Sequence, residues 1–152
     1  MFTNFEIMSK PHREVIKFFF LSKGITLKRR KELKEFIRKL ARKEGYKIAS
    51  LNYIFCSDEY LLDINRRYLD HDFYTDIVTF QLSGDSMNLE AEIYISVDRV
   101  RDNAAKFDEA FNVELHRVIF HGALHLCGFK DKRKEEARVM REKENDYLYK
   151  YL

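Results

Sequence analysis

His121–Asp131, HGALHLCGFKD, carries the most information in this chain and reads H-x-x-x-H-x-x-G-x-x-D. At 100° per residue, His121 and His125 differ by about 40° around a helix, so both imidazoles can face one ion. Gly128 can adopt the left-handed backbone that ends a helix, which lets the chain turn back and present Asp131 as a third ligand. Two nitrogens and one oxygen, with a fourth position left to water, describe a catalytic zinc site; a structural site would fill all four positions from the protein. The plainer reading of the same residues makes Gly128 a helix C-cap and Asp131 the N-cap of the following helix. Capping and ligation do not exclude each other.

Working outward, the helix carrying the two histidines is expected from about Asp108 to Cys127, with Phe111, Leu115, Val118, Ile119 and Leu126 at core spacing. Cys127 lies about 200° from His125 and should point into the core. His116, about 140° from His121, reads as a packed or surface histidine. Glu114 and Arg117 fall on the His121 stripe. They are either an i,i+3 ion pair, or a layer that orients His121, or an arginine that meets phosphate. A last helix is expected over about 132–149, with Ala137, Met140 and Tyr147 or Leu148 inward. Upstream, Leu33, Phe36, Ile37 and Leu40 predict a helix over 27–43, with Thr26 as N-cap and Gly45 as the stop. Asp58 is expected to cap a short helix carrying Leu61, Leu62, Ile64 and Tyr68, and Asp98 to cap another. Strands are expected at 48–56, with Leu51, Tyr53 and Phe55 on one face, at 77–82 and at 91–97. Segments 2–8 and 15–21 give one or two more. Residues 70–75 read as a turn and 83–86 as a loop. Strands and helices mix without regular alternation, which predicts an α+β fold.

The chain has 152 residues, 45% hydrophobic and 35% charged, with one proline and five glycines. That suits a single globular domain over 1–152 with its own core and little linker. No apolar run reaches membrane-spanning length, and the N-terminus lacks a basic-then-apolar signal pattern. Cys56 and Cys127 form no disulfide framework, so a reducing, cytoplasmic setting is expected. Charge is unevenly distributed. Residues 1–50 carry 14 basic and 5 acidic side chains, 51–110 carry 5 and 13, and 111–152 carry 9 and 7. The basic end, dense between Lys28 and Lys43, is suited to a polyanion, though it can equally be a solvated face or pair with the acidic middle. Most of the 13 Phe and 9 Tyr are expected in the core, and none is marked by the sequence as a base-stacking platform.

A three-ligand zinc acidifies its bound water and polarises a carbonyl or phosphoryl oxygen, so hydrolysis is the natural reaction class. Zinc peptidases place a glutamate directly after the first histidine as general base. Here that residue is Gly122, which argues against peptide hydrolysis and leaves the general acid/base unassigned.

The segment His121–Asp131 resembles the signature H-G-x-L-H-L-x-G-Y-D-H of the YbeY family of bacterial rRNA-maturation endoribonucleases. His121, Gly122, Leu124, His125, Leu126 and Gly128 coincide, and Phe129 stands for the tyrosine. Asn65, Tyr68, Asp72 and Thr75–Phe80 are similar to the family's N-x-x-[YF]-R-x-x-D-x-x-T-[ND]-V-L-S-F. Glu92–Ser96 is similar to its G-D-I-x-I-S strand. The resemblance implies a mixed sheet of four strands packed with helices, the metal helix central. It implies one zinc ion per chain held by His121, His125 and Asp131. It further implies single-strand-specific cleavage of immature small-subunit rRNA in 3′-end maturation, and a part in ribosome quality control, with RNA and the ribosome or its proteins as partners and no membrane.

Two positions depart from the family pattern. Its third ligand is histidine where this chain has Asp131, and its arginine stands where this chain has Leu69. Arg66, Arg67 and His71 are the candidates to take over that arginine's contact with phosphate. The rival readings are a non-catalytic, zinc-stabilised ribosome-assembly factor that binds RNA or a ribosomal protein, and, more remotely, a zinc peptidase.

Overall fold

The computed structural model describes residues 15–84 and 87–152. The strand expected over 2–8, and Asp85 and Ser86 of the expected loop, lie outside them. Four strands, β1 (Ile16–Phe20), β2 (Lys47–Cys56), β3 (Ile77–Gln81) and β4 (Asn88–Ser96), form one sheet in the order β1-β2-β4-β3. β1 and β4 run parallel to β2, while β3 runs antiparallel to β4. Five helices accompany it: α1 (Arg30–Lys43), α2 (Asp58–Leu69), α3 (Val97–Lys106), α4 (Phe111–Leu126) and α5 (Lys134–Tyr151). This is the α+β arrangement expected, with a mixed sheet.

Alternation along β2 and β4 sends Leu51, Tyr53, Phe55, Ala91, Ile93 and Ile95 to one face, where they share a core with α1 and α4. Tyr53 crosses that core to donate its hydroxyl to the Ile119 carbonyl at 3.0 Å. The other face carries Cys56 and Val78 against Leu61 and Ile64 of α2. Tyr68 of α2 stays in solvent. α4 is the central helix: from Glu114 to Cys127, every residue except His121 and His125 is buried. Phe120 is fully buried beside Phe36, their rings 5.1 Å apart. Burying one such side chain contributes about 1.5–3 kcal/mol.

Several helix starts differ from expectation, for local reasons. α1 begins at Arg30 and not after Thr26, because Leu27 drops into the core and Arg29 takes φ 55°, turning the chain first. Ser57, not Asp58, caps α2, its hydroxyl accepting from Tyr60 N. Ser96, not Asp98, caps α3 by accepting from Arg99 N. In both cases the serine occupies the extended residue just before the helix, where a side-chain acceptor reaches the exposed N–H groups. α4 starts at Phe111 and α5 at Lys134, each a few residues later than expected. Along α5 the inward positions are Met140, Glu144, Tyr147 and Leu148, and Ala137 is exposed.

Candidate metal centre

α4 ends in a Schellman motif: Phe129 N donates to Leu124 O at 3.1 Å and Gly128 N to His125 O at 3.0 Å, with Gly128 at φ 92°. The reversal carries Asp131 back over the last turn of α4. Asp131 does not cap α5; Arg133 holds that position, and Glu136 accepts from Arg133 N at 3.0 Å. The Asp131 carboxylate is left to face the histidines.

His121 Nε2 and His125 Nε2 each lie 3.3 Å from Asp131 Oδ2, and the rings meet edge to face at 4.4 Å. All three donor atoms fall within 4.8 Å of one another. A charge-assisted hydrogen bond would draw nitrogen and oxygen to roughly 2.7–2.9 Å. The edge of a zinc tetrahedron with bonds near 2.0–2.1 Å is about 3.3–3.4 Å. The spacing therefore fits ligands around one ion better than a direct bond between them.

The far nitrogens fix the tautomers. His121 Nδ1–H donates to Glu144 Oε2 at 2.7 Å, and His125 Nδ1–H donates to the Phe129 carbonyl at 2.8 Å. A carbonyl cannot donate and an ionised carboxylate does not, so each ring, when neutral, presents a bare Nε2 toward Asp131. Burial on its own would lower the His121 pKa. The Glu144 hydrogen bond and charge, helped by Asp131 and Asp76, outweigh burial and raise it. Cys127 is buried as expected, and burial pushes its thiol up to about 12, which keeps it protonated and out of the donor set. His116 is buried, donating Nδ1–H to Asn112 O at 2.7 Å and stacking on Tyr151.

The donors sit in an open cleft of about 580 Å³. His71, Phe73 and Leu69 line one side of it, and Lys130 and Lys132 belong to the segment around Asp131. Asp76 lines the same cleft, and burial raises its carboxyl pKa although the neighbouring His121 opposes the rise.

The endoribonuclease YbeY family matches residues 21–152. The Cytophaga hutchinsonii protein named endoribonuclease YbeY is 50% identical over 135 residues, which cover 89% of this chain and 94% of that protein. Its Bacteroides thetaiotaomicron namesake is 47% identical over 79% of this chain and 87% of its own length. The chain belongs to the endoribonuclease YbeY family. A solution structure of a Thermotoga maritima protein has the same fold, with a TM-score of 0.62 at 32% identity, covering 88% of this chain and 86% of that one. Membership in the YbeY family places the chain among RNA endonucleases, hydrolases of phosphodiester bonds.

Three features of this YbeY-family chain were not legible in its sequence. Glu144, behind His121, lies in a charge-rich helix; its only signal was an inward position between Met140 and Tyr147. Asp76 stood inside a matched motif without a stated role. Phe73 lay in a segment read only as a turn. Glu114 and Arg117 form a layer behind the candidate ligands. Arg117 donates to Asn145 Oδ1 at 2.7 Å and to Glu109 Oε1 at 3.3 Å, and lies 3.6 Å from Glu144 Oε1 and 3.7 Å from Glu114 Oε2. Its guanidinium is thus engaged inside the protein, two bonds removed from His121. Burial and a shared hydrogen bond with Glu109 raise Glu114 to about 7.

Of the three candidates to replace the arginine absent at Leu69, Arg66 pairs with Asp72 and Arg67 with Asp63, and only His71 lines the cleft. Gly122 packs against the sheet so tightly that a Cβ there would stand 2.8 Å from Ile77 Cδ1 and 3.1 Å from Ile93. At the position a peptidase uses for its glutamate, a side chain here would require Ile77 and Ile93 to shift.

Proposed function

We propose that this protein, acting as one domain over residues 1–152, is a zinc-dependent, single-strand-specific endoribonuclease. It works in the cytoplasm, in 3′-end maturation of immature small-subunit rRNA and in ribosome quality control. The observation that carries the reading is the meeting of His121 Nε2, His125 Nε2 and Asp131 Oδ2 at tetrahedral-edge spacing, with both tautomers set from behind. These three residues would hold one zinc ion. Once bound, the ion would supply Lewis-acid polarisation of the phosphoryl group and a water acidic enough to deprotonate near neutral pH.

The rest of the chemistry belongs to the chain. Glu144 holds the Nδ1 proton of His121, and the Phe129 carbonyl holds that of His125. Lys130 and Lys132 attract the phosphate backbone to the cleft. Asp76, its carboxyl pKa raised by burial, is the group suited to hold a proton for the leaving oxygen. Substituting aspartate for the family's histidine adds negative charge to the donor set, which should leave the bound water less acidic than a third imidazole would.

The test is direct. Purified protein loaded with zinc should cut single-stranded RNA, and His121→Ala should abolish cleavage while circular dichroism stays native. Equal cleavage by that variant would overturn the reading. Ribosome association with no cleavage by the wild type would favour the assembly-factor alternative.

A further inference from the structure

Single-strand preference needs a feature that rewards an unpaired base, and zinc ligands and lysines cannot supply it, since a duplex carries the same phosphates. The wall of the cleft formed by residues 69–73 has a different chemistry. His71 and Phe73 stack on each other, their centroids 5.1 Å apart and their planes 22° from parallel. Phe73 is 55% exposed, so over half of its surface stands open to a binding partner.

The loop that presents this pair is held from beneath. Asn65 is 1% exposed; its carbonyl accepts from His71 N at 3.1 Å and its Nδ2 donates to Phe73 O at 3.1 Å. One buried residue, through its backbone carbonyl and its side-chain amide, thus holds the backbone at both stacked residues. Arg66 pins the residue between them through its ion pair with Asp72. Asp70, at φ 53°, closes α2 and turns the chain into the loop. An exposed aromatic pair on an anchored backbone binds with little ordering cost.

Resting on the reading above, we infer that His71 and Phe73 form a base-stacking subsite that takes one unstacked nucleobase of single-stranded RNA while its phosphate lies toward Lys130 and Lys132. Charge complementarity commits the occupant. The same cleft bears cationic side chains for phosphate and a π face for a base, and the loop wall is apolar at Leu69, where a cation would otherwise draw phosphate. A paired base, stacked within its helix, cannot reach Phe73 without being unpaired, so the platform selects single strands.

The chain contains no tryptophan, so Phe73→Trp creates a single fluorescent reporter. Titration with an all-2′-O-methyl single strand should quench it, and the same strand annealed to its complement should not. Phe73→Ala and Phe73→Leu should each raise KM for single-stranded RNA by at least about fivefold, the low end of what one stacked base contributes, with a smaller change in kcat. Phe73→Trp should restore KM. Unchanged KM in Phe73→Ala, or equal quenching by the duplex, overturns the inference. The fluorescence measurement needs no turnover, so a protein that quenches on single strands yet cuts nothing sinks the hydrolytic reading and supports the stacking one.

Discussion

Glu144 shows how much one buried carboxylate can decide. It is 4% exposed, holds His121 Nδ1–H, and lies near Arg117, which offsets its charge. Burial lowers the pKa of His121, but the hydrogen bond and charge of Glu144, with Asp131 and Asp76, outweigh it and raise the pKa. A more basic imidazole takes up a proton at higher pH, and a protonated ring cannot ligate, so zinc affinity should begin to fall on acidification at a pH above the ordinary histidine value of about 6.5. Glu144→Gln removes the charge and keeps the shape. Its zinc affinity at pH 8 should fall by about 10- to 100-fold, as for other lost partners of metal-bound histidine. The midpoint of its acid-driven zinc loss should move to lower pH once differences in affinity are corrected. A chelator competition titration at several pH values reads both, and an unshifted midpoint would count against Glu144 as the group that sets the imidazole's basicity.

At the scale of elements, the end of α4 is the critical joint. The Schellman turn at Gly128 depends on a positive φ that glycine adopts without strain, and it determines where Asp131 stands. Alanine there must adopt φ 92°, which costs about 1–2 kcal/mol, though the site itself has space, the nearest atom to an added Cβ being Tyr46 Oη at 3.5 Å. Gly128→Ala should therefore lower Tm by several degrees. If the turn relaxes, zinc affinity should fall by more than this loss of stability explains. Calorimetry and zinc titration on the same sample separate the two effects. The matching turn at Gly45, φ 95°, ends α1 with the same bond pattern, Tyr46 N to Ala41 O at 2.9 Å and Gly45 N to Arg42 O at 3.0 Å. It bears no ligand, so substitution there should disturb stability and spare the metal.

At the scale of the whole molecule, the uneven charge is handled mostly close to home. In α1, Arg38 pairs with Glu35, while Arg30 lies over Phe20 and Lys34 over Phe18. In the acidic middle, Asp58 pairs with Arg99 and Asp63 with Arg67. Lys130 and Lys132, next to the candidate ligands, are the cations placed at the cleft. If each neutralises one phosphate, the double variant Lys130→Ala, Lys132→Ala should bind single-stranded RNA more weakly, with a log–log salt dependence shallower by about 1.4. Binding measured across a potassium chloride series gives the slope, and an unchanged slope would move phosphate contact elsewhere, with the basic surface of α1 the next place to look. Among the described residues, no helix is long and apolar enough to cross a membrane.

What the sequence determined by itself was whatever depends on neighbours along the chain. The repeat of Leu33, Ile37 and Leu40 marked α1, and the alternation of Leu51, Tyr53 and Phe55 marked β2, because period reports which face is buried. The H-x-x-x-H-x-x-G-x-x-D run placed two imidazoles on one stripe and a turn after them, since helix pitch and glycine's torsional freedom are local properties. Tertiary structure decided the rest. It brought Glu144 against His121 across 23 positions, and it paired Arg66 with Asp72, leaving His71 and Phe73 on the cleft wall. It laid β3 antiparallel beside β4 and chose Ser57 and Ser96 over the neighbouring aspartates as caps. Such contacts join residues with no fixed spacing, and their partners are selected by packing. No period or motif records them.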